Sequence, residues 1–385
     1  MQAMTYKHPE NRDKPYVDWR LPENRMKGFM LWLDWKLKYY DLDQLIVTNT
    51  YRDASGIQSP TGAPMNEEQK LWFSLLFGCT YQSSMAWTIY WHFPNFWDIN
   101  LEELQKWNLE NMWRQQYAKD TKYNKGRIVE QVKSMQELIG PYGSIKAWVD
   151  NQLTDDPHES FVNMYTEVSR LYKFGRMTSW LCNQALFETG GVPVRPATML
   201  CTDQSCWSVR SGLCYLYGRD DIVESKTKVK LSKDDLQWIA SKESELYAQA
   251  YDAISPSNKL FFSNYLLESQ LCQYKKLMLG GEYAGGGSGD HYVRGCKLRN
   301  VWGKEVNYDA LFETAVQYHH PLARNKPENK PLQDLCAKTG QMINLHTDND
   351  SIPNMYLELG IDPEWLQNDE HNREIKRKIE EYANV

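Results

Sequence analysis

Residues 66–94 read NEEQKLWFSLLFGCTYQSSMAWTIYWHFP, and their pattern decides the fold class. Asn66 stands where a helix N-cap accepts backbone N–H groups, and Gln69, three positions on, completes a capping box. Leu71, Leu75, Leu76 and Cys79 then recur at helical spacing toward Ile89, which predicts one helix from Asn66 to Ile89, stopped by Pro94. Gly78, inside it, marks a point of close packing. The same periodicity returns through Trp32, Trp35 and Tyr39 in an amphipathic N-terminal helix. It predicts further helices over residues 101–107, 111–117, 125–138, 159–171, 233–254, 258–279, 308–319 and 370–382. Strand-like alternation is scarce, so the expected class is all-α.

Breaks in this pattern carry loop chemistry: SGIQSPTGAP at 55–64, Pro141 with Gly143, Thr154 to Pro157, GGEYAGGGSGDHYVRG at 280–295, and the Pro/Asn-rich 321–331. A length of 385 residues suggests two domains or one large one with extensions. The expected division is an N-terminal helical extension (1–64), a helical core (65–221), and a helical C-terminal region (222–385) with the Gly-rich loop 280–295.

Composition excludes several function classes. Hydrophobic residues at 42% suffice for a core, so wholesale disorder is out. The net charge of −6, from 44 basic and 50 acidic residues, argues against non-specific coating of nucleic acid, which is built on clustered Lys and Arg. Local basic patches remain: Lys119, Lys122, Lys125, Arg127 and Lys133; Arg170, Lys173 and Arg176; and Lys226 to Lys233. No run approaches the roughly 18 apolar residues of a transmembrane helix, and the first residues hold no signal-peptide core, so a cytoplasmic location is expected. Eight Cys without a C-x-x-C pair read as buried thiols, and eight His show no metal-ligand spacing, so no metal site is expected. No G-x-x-x-x-G-K-[ST] occurs, which excludes a P-loop kinase.

Three segments narrow the function: Phe93-Pro94 with the helix around Leu101 to Leu104; Tyr172-Lys173-Phe174-Gly175-Arg176-Met177-Thr178-Ser179-Trp180; and Leu200-Cys201-Thr202-Asp203-Gln204, running on to Arg210. Their order resembles the helix-hairpin-helix DNA glycosylases. The resemblance implies a glycosylase-like helical core with a hairpin that binds DNA through Lys173, Gly175, Arg176 and Thr178. Asp203 falls where the catalytic carboxylate would be. Met177 replaces the lysine of bifunctional members, so lyase chemistry is not expected.

YWHFPNFWD, the 201–210 segment and GGEYAGGGSGDHY together resemble a phage group of thymidine-hypermodifying proteins. The group includes amino acid:DNA transferases and α-glutamyl/putrescinyl thymine pyrophosphorylases. The resemblance implies an enzyme, active in the infected host's cytoplasm on double-stranded DNA carrying modified thymine. Pyrophosphorylated 5-hydroxymethyluracil would exchange its pyrophosphate for the amine of an amino acid, glycine favoured. Other readings are polyamine transfer or pyrophosphorylation, a monofunctional glycosylase, and an inert DNA-binding scaffold.

Such a reaction assigns tasks to side chains. Asp203 is the first choice to orient or deprotonate the amine, with Asp290 and His291 second; a lone Asp beside Thr also suits a cap. Arg195 and Arg210 are candidates for the amino acid carboxylate, and Arg210 for a structural partner of Asp203. The 280–295 loop, with seven glycines, Glu282, Tyr283 and Arg294, offers a nest for substrate and pyrophosphate, or an ordinary linker. Mg²⁺ would be a natural companion of the pyrophosphate. Trp91, within the aromatic run from Trp87 to Trp97, is the candidate for stacking on an extruded base, although most of that run suits a core. Cys201 or Cys206 could add to the pyrimidine ring.

Overall fold

A computed structural model describes residues 21–39, 60, 64–118, 123–223, 231–259, 262–278, 295 and 297–308. Among them the architecture is all-α, with no strand. The described residues divide into two compact units: 21–39, 198–223, 231–259 and 262–278 in the first, and 60, 64–118, 123–197, 295 and 297–308 in the second.

The first unit holds α1 (Pro22–Tyr39), α9 (Trp207–Leu216), α10 (Asp220–Val223), α11 (Lys233–Ala253), α12 (Pro256–Lys259) and α13 (Asn264–Met278). α9 is its axis, buried from Val209 through Leu216 and packed against α1, α10, α11 and α13. The α9–α13 contact is a backbone contact. A Cβ on Gly212 would lie 2.7 Å from the Leu271 carbonyl oxygen, so only glycine admits this approach. α1 is tied in by Arg25, which donates to both carboxylate oxygens of Asp220 (2.6 and 3.2 Å) and to the Tyr215 carbonyl (3.0 Å). Trp32 is buried beneath it beside Tyr274; the side chains of Trp35 and Tyr39 lie outside the described ones.

The second unit contains α2 (Glu67–Thr80), α3 (Ser83–His92), α4 (Leu101–Asn111), α5 (Ile128–Ile139), α6 (Ile145–Asp150), α7 (Pro157–Val168) and α8 (Arg176–Glu188). The expected capping box starts α2: Asn66 Oδ1 accepts from the Gln69 N–H (2.8 Å), and Gln69 Oε1 from the Asn66 N–H (3.0 Å). Gly78 is the close-packing point against α8, since a Cβ there would stand 2.8 Å from Cys182 Cβ.

The helix expected from Asn66 to Ile89 is two. Tyr81 turns left-handed (φ 45°), Gln82 is extended, and Thr80 Oγ1 accepts the Gln82 N–H (3.3 Å). Both pieces are buried over most of their length, so apolar spacing runs through the corner unchanged. The helix expected at 111–117 is only a 3-10 turn, Met112–Arg114. Beyond it the Ala118 N–H bonds the Thr80 carbonyl (3.1 Å), and Gln115 Nε2 bonds Asn108 Oδ1 (2.9 Å), which holds this segment extended against the α2–α3 corner. Of the helix expected over 258–279, residues 258–259 end α12, and α13 begins at Asn264 after a non-helical 262–263. Residues 297–302 are helical without having been expected so, and the 308–319 and 370–382 helices lie almost entirely outside the described residues.

His92, at the end of α3, packs against the rings of Trp107 (5.2 Å) and Trp302 (5.1 Å) and donates from Nδ1 to the Thr88 carbonyl (2.8 Å). Burial holds its pKa below the ordinary value, against the backbone bond and Glu305, which raise it, while Arg114 lowers it further. The unfolded chain therefore takes up this proton first. Stability should fall as pH drops below about 6.5, the ordinary His value, until the native pKa is passed. Thermal melts between pH 8 and 5 should show a smaller acid loss in His92→Phe than in wild type. Parallel curves would remove His92 from the acid response.

Candidate functional site

In the first unit, the expected catalytic segment is a double turn ahead of α9. The Asp203 N–H bonds the Leu200 carbonyl and the Cys206 N–H bonds the Asp203 carbonyl, both at 3.0 Å. Leu200 is left-handed (φ 58°), a costly state for a branched side chain. Leu200→Gly should therefore leave the melting temperature unchanged or slightly raised, because relief of about 1–2 kcal/mol of strain outweighs glycine's entropy cost of about 0.5–1 kcal/mol. A clear drop in calorimetry would show that the Leu200 side chain contributes more than its backbone costs.

Asp203 is exposed, and its Oδ1 accepts from the Ser205 N–H (2.7 Å) and hydroxyl (2.5 Å). The side chain thus stabilises its own turn through Oδ1. Arg210 donates to the Asp203 main-chain carbonyl (3.1 Å). The expected pairing of these two residues exists, through the backbone rather than the carboxylate. Neighbours that sequence reasoning missed complete the place. Lys275 of α13 donates to the Ser208 carbonyl (3.2 Å), and the Ser208 hydroxyl meets the Cys272 thiol at 2.9 Å. Spacing could not reveal them, because they come from a helix more than 60 residues away.

Cys201 and Cys206 are fully buried, and Cys206 Sγ donates to the Met199 carbonyl (3.7 Å). Neither has open access to a pyrimidine ring. Burial also pushes the thiols of Cys79, Cys182 and Cys214 up, the last to about 12, as unreactive core thiols require.

In the second unit, the segment expected to form a hairpin is the connection between α7 and α8. The Phe174 N–H bonds the Leu171 carbonyl, Lys173 is left-handed (φ 61°), and the Tyr172 N–H bonds Ser134 Oγ. Gly175 caps α8 without any side-chain bond, at an ordinary φ of −96°. A Cβ there would meet nothing within 4 Å, so the side-chain position of Gly175 is open. Lys173 and Gly175 are exposed. Arg176 is half-buried with its guanidinium 5.3 Å from the Trp180 ring, and Thr178 is buried.

Elsewhere in this unit, Arg195 is exposed over the Phe187 ring (5.0 Å), and its carbonyl accepts from His158 Nδ1 (2.7 Å). Trp87, Tyr90 and Phe96 are core. That leaves Trp91, half-buried against Trp87, and Trp97, 42% exposed and bonded to Glu68, as the accessible indoles of the run. Glu282, Tyr283, Asp290, His291 and Arg294 lie outside the described residues. Among the described residues no three His, Cys, Asp or Glu are grouped to hold a metal ion, and no helix is long and apolar enough to cross a membrane.

Comparison with known proteins bears on this geometry. The family model for amino acid:DNA transferases matches residues 58–283, a span that includes the α7–α8 connection, the Asp203 turn, α9 and α13. A serinyltransferase of Salmonella phage ViI is 26% identical over 224 residues, 56% of this chain and 53% of that protein. The chain therefore spans about half the length of this curated relative. No solved structure matches.

Proposed function

The chain belongs to the amino acid:DNA transferase family, and from that membership we propose that it installs an amino acid on modified thymine in phage DNA. The substrate base is 5-hydroxymethyluracil carrying a pyrophosphate. A C–N bond forms between the 5-methylene carbon and the incoming amine as the C–O bond breaks. Its electron pair leaves on pyrophosphate, and the amine proton passes to a base. Asp203 is the residue assigned to orient that amine and receive its proton, through the carboxylate oxygen not engaged by Ser205.

The observation that carries this reading is the family match across both chemistry-bearing segments, the 172–180 hairpin and the 200–210 turn. The exposed Gly175 and Lys173, and the absence of a side-chain cap bond at the start of α8, support a backbone-phosphate contact there. An anchor of that kind reconciles an acidic chain with DNA: a few local contacts suffice once one base is extruded. Trp91 and Trp97 are its candidate stacking partners. The fold reading is a glycosylase-like core in which α7, the hairpin and α8 form the DNA-binding element. Either glycine or serine serves as amine donor, the second suggested by the named phage relative.

The test is duplex DNA carrying pyrophosphorylated hydroxymethyluracil, incubated with the protein and glycine or serine, with and without Mg²⁺, then digested for nucleoside mass spectrometry. A heavier nucleoside and stoichiometric pyrophosphate are expected. Pyrophosphate release without an adduct would overturn the transfer, and alkali-labile abasic sites would indicate glycosidic cleavage instead.

A further inference from the structure

We propose that Glu243 is a positioning residue: with Arg210 it clamps the Asp203 turn from beneath, so that the Asp203 carboxylate keeps one place against the reacting amine. The need for that place rests on the transfer reading above; the clamp itself rests on three features of the first unit.

The first is the turn. Thr202 to Ser205 are four consecutive exposed residues, set between buried Cys201 and Cys206. An exposed stretch of this kind opens easily unless its backbone is bonded to a neighbouring element. Its entry is also strained, since Leu200 is left-handed (φ 58°), a state that persists only where the surroundings enforce it. The second feature is Glu243. The buried residues of α11 are Ile239, Glu243, Leu246 and Ala250, so Glu243 is the polar member of an otherwise apolar stripe. From there its Oε1 accepts the Cys201 N–H (3.3 Å), across 42 residues of sequence. An aliphatic side chain would also fill the stripe, but it could not hold the N–H that follows the left-handed Leu200. The third is Arg210 of α9, 3% exposed, whose Nη1 donates to the Asp203 carbonyl (3.1 Å).

Two helices thus grip the turn, α11 by an N–H at its entry and α9 by a carbonyl at its middle. Both grips engage main-chain groups, so neither consumes the Asp203 carboxylate. A group that must meet one atom of an amine gains from a fixed main chain, because misplacement by about 1 Å can cost about 100-fold in rate. Glu243 acts on the reaction through Asp203 and not by touching substrate.

The test measures transfer to duplex DNA carrying pyrophosphorylated hydroxymethyluracil by wild type, Glu243→Ala, Glu243→Gln, Asp203→Asn and the double variant Asp203→Asn with Glu243→Ala. Each is assayed at a temperature where dichroism shows it folded. Glu243→Ala should lower kcat about 10–100-fold and leave KM for amino acid and DNA within about twofold. Glu243→Gln keeps an acceptor oxygen in the same place and should recover most of kcat. In the Asp203→Asn background, Glu243→Ala should cost less than about twofold, because a clamp acts only through the group it places. A residue that serves stability alone would cost the same factor in both backgrounds.

Should Glu243→Ala fail to fold, amide exchange resolved to single residues decides on wild type and Glu243→Gln. In both, the buried Cys201 N–H should exchange at least about tenfold more slowly than those of the exposed Thr202 and Gln204. Additive losses, a folded Glu243→Gln as impaired as Glu243→Ala, or a Cys201 N–H exchanging like its exposed neighbours would overturn the clamp. A wild type that transfers nothing would overturn the transfer reading and the role that rests on it. A wild type that transfers amino acid but shows additive losses loses the clamp alone.

Discussion

Gly212→Val should abolish the cooperative melting of the first unit, and Gly212→Ala should lower its stability by about 1–3 kcal/mol, the usual cost of overpacking. A Cβ on Gly212 would stand 2.7 Å from the oxygen, 3.1 Å from the carbon of the Leu271 carbonyl, and 3.3 Å from Leu271 Cβ. Two of the three are backbone atoms, which cannot rotate away as a side-chain tip can. The helices must separate, and α9 is buried along Val209 to Leu216, so separation loosens every contact of the unit's axis. Alanine recovers about 1 kcal/mol through helix propensity; valine adds branched bulk and recovers less. Gly140→Ala is the control, since a Cβ there meets nothing within 4 Å at helical backbone angles, and its stability should hold or rise slightly. Calorimetry with far-UV dichroism reads all three. A Gly212→Val protein melting like wild type would mean that α9 and α13 do not touch through their backbones.

Asp203→Asn should lower amino acid transfer by about 10²–10⁴-fold, the range that removal of a general base commonly costs. At about 1.4 kcal/mol per factor of ten, that is roughly 3–5 kcal/mol of barrier. The amide keeps an oxygen in the Oδ1 position, so the bonds from the Ser205 N–H and hydroxyl survive and the turn before α9 stays formed. The variant therefore removes charge and basicity while leaving geometry. Its melting temperature should match wild type, and the loss should fall on kcat rather than KM. Asp203→Ala removes the turn bonds as well and should lower both activity and stability. Full activity in Asp203→Asn would reduce the residue to a turn former.

How much was legible in advance follows from how local each interaction is. The α2 cap was readable because both partners lie within four residues, and Gly78 because a glycine amid large apolar neighbours has few other uses. The corner at Tyr81 was hidden because buried helices on both sides keep the same spacing, and the extended 115–118 segment because Thr80, which holds it, lies far back in the chain. In the candidate site, Asp203 and Arg210 were readable as neighbours in one segment. Their manner of contact was not, because a guanidinium seven residues on can meet either a carboxylate or a carbonyl.

Sequence alone determined the helical class and the balance of charge, since periodicity and composition are properties of the chain itself. Tertiary structure alone decided which aromatics are core and which are accessible, and that α9 meets α13 through a glycine. It also decided that Lys275 stands at the first turn of α9, against a carbonyl 67 residues away. Burial and long-range charge depend on what folds back against a residue, and no local pattern records that.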